Sequence, residues 1–133
     1  MFVRKVFTVL ALAASALIIP AEAVAATPPP CELHQHRVTS VEAYRPEERA
    51  GRTSLPVLRG ARLFVQAEPG LTAEWLRLSL ARHIASQPSD CALDVSGVKI
   101  DVESAGPGFR VTLSATDAQK GEEILRRARR LVG

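Results

Sequence analysis

Cys31 and Cys91 are the whole thiol complement of this 133-residue chain, and whether they are joined decides what the stretch between them can fold into. The compartment argues for the bond. The opening "MFVRKVFTVLALAASALIIPAEAVA" places Arg4 and Lys5 before an uncharged apolar run from Val6 to Ile19, then Pro20 and small residues. That order is the n-region, h-region and cleavage region of a secretory signal peptide. The run is about 14 residues long against the roughly 20 that a spanning helix needs, so it predicts export and removal, with no membrane span after cleavage. The small-x-small pattern favours a cut after Ala25. An even cysteine count in a small exported chain favours a Cys31–Cys91 disulfide in an oxidising compartment, periplasmic or extracellular. Closing a loop of about 60 residues contributes roughly 4 kcal/mol by the chain-entropy argument.

Losing the leader with Arg4, Lys5 and Glu22 turns 17 basic and 14 acidic residues into a near-balanced set, which does not point to nucleic acid. About 105 residues remain, enough for one modest core. Pro28, Pro29 and Pro30 make a stiff extended lead-in. His34 to Tyr44 reads as a strand of poor alternation. Pro46 to Pro56, "PEERAGRTSLP", has the composition of a solvated surface loop.

From Gly60 the pattern sharpens. Arg62 to Gln66 reads as a short strand stopped by Pro69-Gly70. Thr72 is a good N-cap, and the helix it opens should run to Ala85 or Ser86, with Ala73, Leu76, Leu80 and Ile84 on the core stripe. Trp75, Leu78 and Arg82 fall on the other side, where the chain's only tryptophan either lies under the N-terminal arm or presents a patch to a protein partner. Val98, Ile100 and Val102, then Phe109, Val111 and Leu113, alternate with polar residues across a Gly106-Pro107-Gly108 turn, which predicts an antiparallel hairpin with one wet face. Leu93 and Val95 have the opposite parity, so Ser96-Gly97 should bend or bulge. A last helix, capped by Thr116 or Asp117, runs from Ala118 to Leu131 with Glu122–Arg126 and Glu123–Arg127 pairs.

Helices and sheet can each bury an apolar face only against the other. The expected fold is therefore α+β: a two-layer sandwich of an antiparallel or mixed sheet with two helices on one face, strand-helix-strand-strand-helix after an extended arm. The organisation expected is a signal peptide over 1–25, the arm and surface loop over 26–59, and the α+β core over 60–133. The element order is similar to that of ferredoxin-like folds, a likeness of order alone that implies no function.

Chemistry is sparse. An extended "HQH" would point His34 and His36 to the same side, where two imidazoles, with His83 as a third ligand, could hold Cu or Zn. Two or three ligands on separate segments do not make a specific site, so a solvated or packing role is the leading reading, and no cofactor is expected. Ser54, Ser79 and Ser104 lie in no Gly-x-Ser-x-Gly context, the only cysteines are committed to each other, and no phosphate loop exists; the chain is not expected to be an enzyme. "RRARR" at Arg126 to Arg130 lacks the aromatic residues of a nucleic-acid surface, although its basic edge suits an anionic lipid or envelope polymer. The function expected is that of an exported, disulfide-stabilised binding or accessory protein of the cell envelope, meeting an envelope protein through Trp75, Leu78 and Arg82. The alternative is a periplasmic metal binder using His34 and His36.

Overall fold

The computed structural model describes residues 30–84 and 90–132. The expected signal peptide, the prolines before Pro30 and the helix end at Ala85 or Ser86 lie outside the described residues. The elements are β1 (Val38–Tyr44), β2 (Glu47–Ala50), β3 (Thr53–Pro56), β4 (Gly60–Gln66), α1 (Ala73–Ile84), β5 (Lys99–Ala105), β6 (Gly108–Ser114) and α2 (Ala118–Arg129).

The period-two alternation around Gly106 builds the centre of the sheet. Phe109, Val111 and Leu113 of β6 are buried, while Lys99, Asp101 and Glu103 of β5 are exposed. Val111 stands opposite Val102 on one side and Leu63 of β4 on the other. The hairpin closes through Gly106 and Pro107 with Ala105 opposite Gly108, and Gly106 has φ 56°. Because proline holds the second position at negative φ, this is the type II′ geometry whose twist suits a hairpin. The full order is β1-β4-β6-β5, antiparallel throughout, and a separate β2-β3 ribbon stands outside it. β4, α1 and β5 thus form a split βαβ unit with β6 between its strands. β1, from the N-terminal arm, closes the free side of β4.

Both helices lie on one face of this sheet. Leu76 and Leu80 of α1, with Ile124, Leu125 and Ala128 of α2, join Ala61, Leu63, Val65, Val111 and Leu113 in one core. Burying each leucine or isoleucine contributes about 1.5–3 kcal/mol. Asp117 caps α2 by accepting from the Gln119 and Lys120 backbone N–H groups. Gly121 lets α2 approach the chain entering β4: a Cβ there would stand 2.7 Å from the Arg59 carbonyl carbon. Arg59 holds the same corner. Its side chain donates to both Glu48 oxygens at 2.5 and 2.6 Å and to the Thr116 carbonyl, pinning the β2-β3 ribbon to the start of α2. This pairing lowers the Glu48 pKa and raises that of Arg59, chiefly through the hydrogen bonds.

The α+β sandwich is thus as expected, with local departures. His34 is not in a strand; Glu32–Gln35 is a 3-10 turn and the strand starts at Val38. Leu33 is the reason, since the turn drives it to full burial. The expected surface loop contains the β2-β3 ribbon, turned by Gly51 at φ 65°. Leu93 belongs to a buried 3-10 turn, Ala92–Asp94, rather than to a strand, and the re-phasing falls at Gly97, φ 78°. On α2, Arg126 pairs with Glu123 at 2.5 Å rather than with Glu122, while Arg127 pairs with Glu123 at 2.5 Å as expected.

Candidate functional site

Thr72 starts α1 by accepting the Trp75 backbone N–H at 3.1 Å. Of the expected stripe, Leu76 and Leu80 are buried and Ala73 packs against the core, but His83 takes the place of Ile84, which is 38% exposed. His83 faces Asp94, three residues after Cys91. His83 Nε2 lies 3.5 Å from Asp94 Oδ1, and both side chains are almost wholly enclosed.

The other side of α1 carries the three residues expected at a partner surface. Trp75 is 52% exposed, Leu78 is 45% exposed, and Arg82 is exposed. The N-terminal arm does reach the tryptophan. Cys31 is bonded to Cys91 with Cα atoms 5.3 Å apart, Leu33 plugs the core, and His36 then meets the Trp75 ring edge-on, centroids 6.1 Å apart at 84°. With that contact made, about half of the Trp75 surface stays exposed.

Around that edge the chemistry is polar. His36, its side chain 6% exposed, stands between Glu68 (Nδ1 to Oε2, 3.6 Å) and Glu32 (Nε2 to Oε1, 3.9 Å). Both distances exceed a hydrogen bond, and neither ring nitrogen has a hydrogen-bond partner among the described residues. Glu32 is committed elsewhere, accepting from Ser79 Oγ at 2.7 Å and Gln35 Nε2 at 3.2 Å. Glu68 borders a cleft of about 190 Å³ that His36, Leu71 and Trp75 also line. A larger cleft of about 500 Å³, beside Thr39, Phe64 and Pro107, has no titratable side chain in its lining, whereas one of about 270 Å³ is lined by Glu48, Arg59 and Lys99.

The three histidines expected as metal ligands are placed in three settings. His34 is exposed on the 3-10 turn, His36 packs against Trp75, and His83 is buried beside Asp94. The one group of three or more potential ligands that converges among the described residues is His83, Cys91 and Asp94, whose ligand atoms all lie within 4.8 Å of one another. Asp94 and Glu68 are the residues sequence reasoning missed. The Cys91-x-x-Asp94 spacing was a signal for the first; Glu68 is brought to His36 only by the tertiary fold. Among the described residues, no helix is long and apolar enough to cross a membrane. No protein-family model, curated protein or solved structure matches the chain.

Proposed function

We propose that this is an exported, non-catalytic binding or accessory protein of the cell envelope, which meets a protein partner through the α1 face of Trp75, Leu78 and Arg82. The observation that carries the reading is the half-open indole. A tryptophan that served only the core would be covered, whereas this one touches His36 of the arm and keeps about half its surface exposed beside an exposed leucine and an arginine. Tryptophan and arginine are the side chains most enriched where interfaces concentrate their binding energy. The disulfide supports export, because such bonds persist outside the reducing cytosol.

The test uses a photo-crosslinking residue at Leu78, with a second at Thr112 on the opposite face of the sheet, in protein returned to the envelope. A specific adduct from position 78, absent from 112 and lost on Trp75→Ala, is the expected result. Trp75→Ala should keep a cooperative urea transition, so that loss of the adduct is not loss of the fold. An adduct pattern indifferent to Trp75→Ala would remove the reason for placing a partner there.

A further inference from the structure

We infer that the Cys31–Cys91 disulfide gates a zinc site: on reduction, the Cys91 thiolate joins His83 and Asp94 as the third ligand of one Zn²⁺ ion. The argument begins with the two ligands that stay in place. At 3.5 Å, His83 Nε2 and Asp94 Oδ1 already have the separation of neighbouring ligands, since bonds of about 2.0–2.3 Å in a tetrahedron put donor atoms roughly 3.3–3.7 Å apart. The Cys91 sulfur lies within 4.8 Å of both. In the disulfide it has no charge to offer a metal; freed, it needs only a side-chain adjustment of about an ångström to complete the triad.

The site survives opening of the bond because the backbone around Cys91 is held by other means. Its carbonyl accepts the Asp94 N–H at 3.1 Å and Arg127 Nη1 at 3.1 Å. Ala92 and Leu93 between the two ligands are buried. His83 is fixed by α1, whose Leu76 and Leu80 stay in the core. A site with so little to rearrange is pre-organised. Mixed sulfur, nitrogen and oxygen donors select Zn²⁺ over Cu(I), which prefers thiolates, and three protein ligands leave the fourth position to water.

The chemistry balances with a dithiol as the electron donor. The dithiol transfers two electrons and two protons to the Cys31–Cys91 bond, becoming a disulfide itself and leaving Cys31–SH and Cys91–SH. Zn²⁺ then displaces the Cys91 thiol proton to solvent. A disulfide as electron acceptor reverses both steps: it takes the two electrons, the Cys31–SH proton and one proton from solvent to become a dithiol, the Cys31–Cys91 bond re-forms, and the ion leaves. The protein would thus hold zinc only while a dithiol reductant reaches it.

Zinc titration of three forms tests this: the oxidised chain, the chain reduced with a phosphine and held anaerobic, and Cys31→Ser, which frees Cys91 without any reductant. The oxidised chain should show no stoichiometric binding. The reduced chain and Cys31→Ser should each bind one ion tighter than micromolar, with about one proton released from the thiol. Co²⁺ should give the sulfur-to-metal charge-transfer band in both. His83→Ala or Asp94→Asn placed in Cys31→Ser should weaken binding roughly 100-fold. Should reduction loosen the fold, Zn²⁺ must restore the far-UV circular dichroism and raise the thermal midpoint. Binding that is weak, that ignores His83 and Asp94, or that fails to stabilise the reduced chain overturns the inference, whatever the Trp75 face is found to do.

Discussion

Opening the Cys31–Cys91 bond should destabilise the protein by about 4 kcal/mol. The figure follows from the 60-residue separation of the two cysteines: closing a loop that long removes roughly 14 cal/mol/K from the unfolded chain, or about 4 kcal/mol at room temperature. A domain of this size has a total stability of only about 5–15 kcal/mol, so the loss is large without being certain to unfold the chain. The perturbation is Cys31→Ser with Cys91→Ser, compared with the oxidised protein by equilibrium urea denaturation in a metal chelator. The midpoint should fall, and the slope should rise slightly as the unlinked unfolded chain exposes more surface. A loss under 1 kcal/mol would refute the reasoning: it would mean that the arm is held by Leu33 and β1 alone, or that the unfolded chain keeps the two segments together without the bond.

Leu33→Ala should cost about 2–5 kcal/mol because the side chain is fully enclosed, whereas Leu55→Ala on the exposed ribbon should change the urea midpoint little. Gly121→Ala should lower the thermal midpoint despite alanine's better helix propensity, since its Cβ would press on the Arg59 backbone at 2.7 Å; a stabilised variant would show that α2 does not seat there. Glu123, held at a pKa of about 2 by hydrogen bonds from Arg126 and Arg127, has a depressed folded value. Its contribution is therefore full above the unfolded carboxylate pKa and lost as pH falls toward about 2. The stability gap between the wild type and Glu123→Gln should close across that window, and a gap that widens on acidification would contradict the pairing.

The elements legible in the sequence were those whose signal is local. The alternation of Val98 to Val102 against Phe109 to Leu113 marks β5 and β6, and the oxygens of Thr72 and Asp117 mark where the helices begin. What escaped depends on partners far along the chain. Nothing near Leu33 says that a 3-10 turn will sink it into a core built mainly from residues after Gly60. The β2-β3 ribbon has exposed residues on both sides, so no apolar period betrays it. The burial of His83 is not legible from its helix, because its neighbour Asp94 lies in a turn further along the chain, Ala92–Asp94. At the candidate site, helical spacing alone puts Trp75, Leu78 and Arg82 off the core stripe, but does not say whether the N-terminal arm covers the indole. The His36–Glu68 flank of the cleft is not legible there either, since it takes the disulfide and β1 to bring the arm across α1.

The account rests on the arm being scaffold, tied by sulfur to the turn between α1 and β5. The most direct test is the intact mass of the chain purified from the envelope or medium, alkylated under denaturing conditions with and without prior reduction. With neither cysteine free, the unreduced chain should carry no alkyl group, and the reduced chain should carry one on each of Cys31 and Cys91. Alkylation of both cysteines before any reduction would show that the arm is not tied, and would contradict the account at its base.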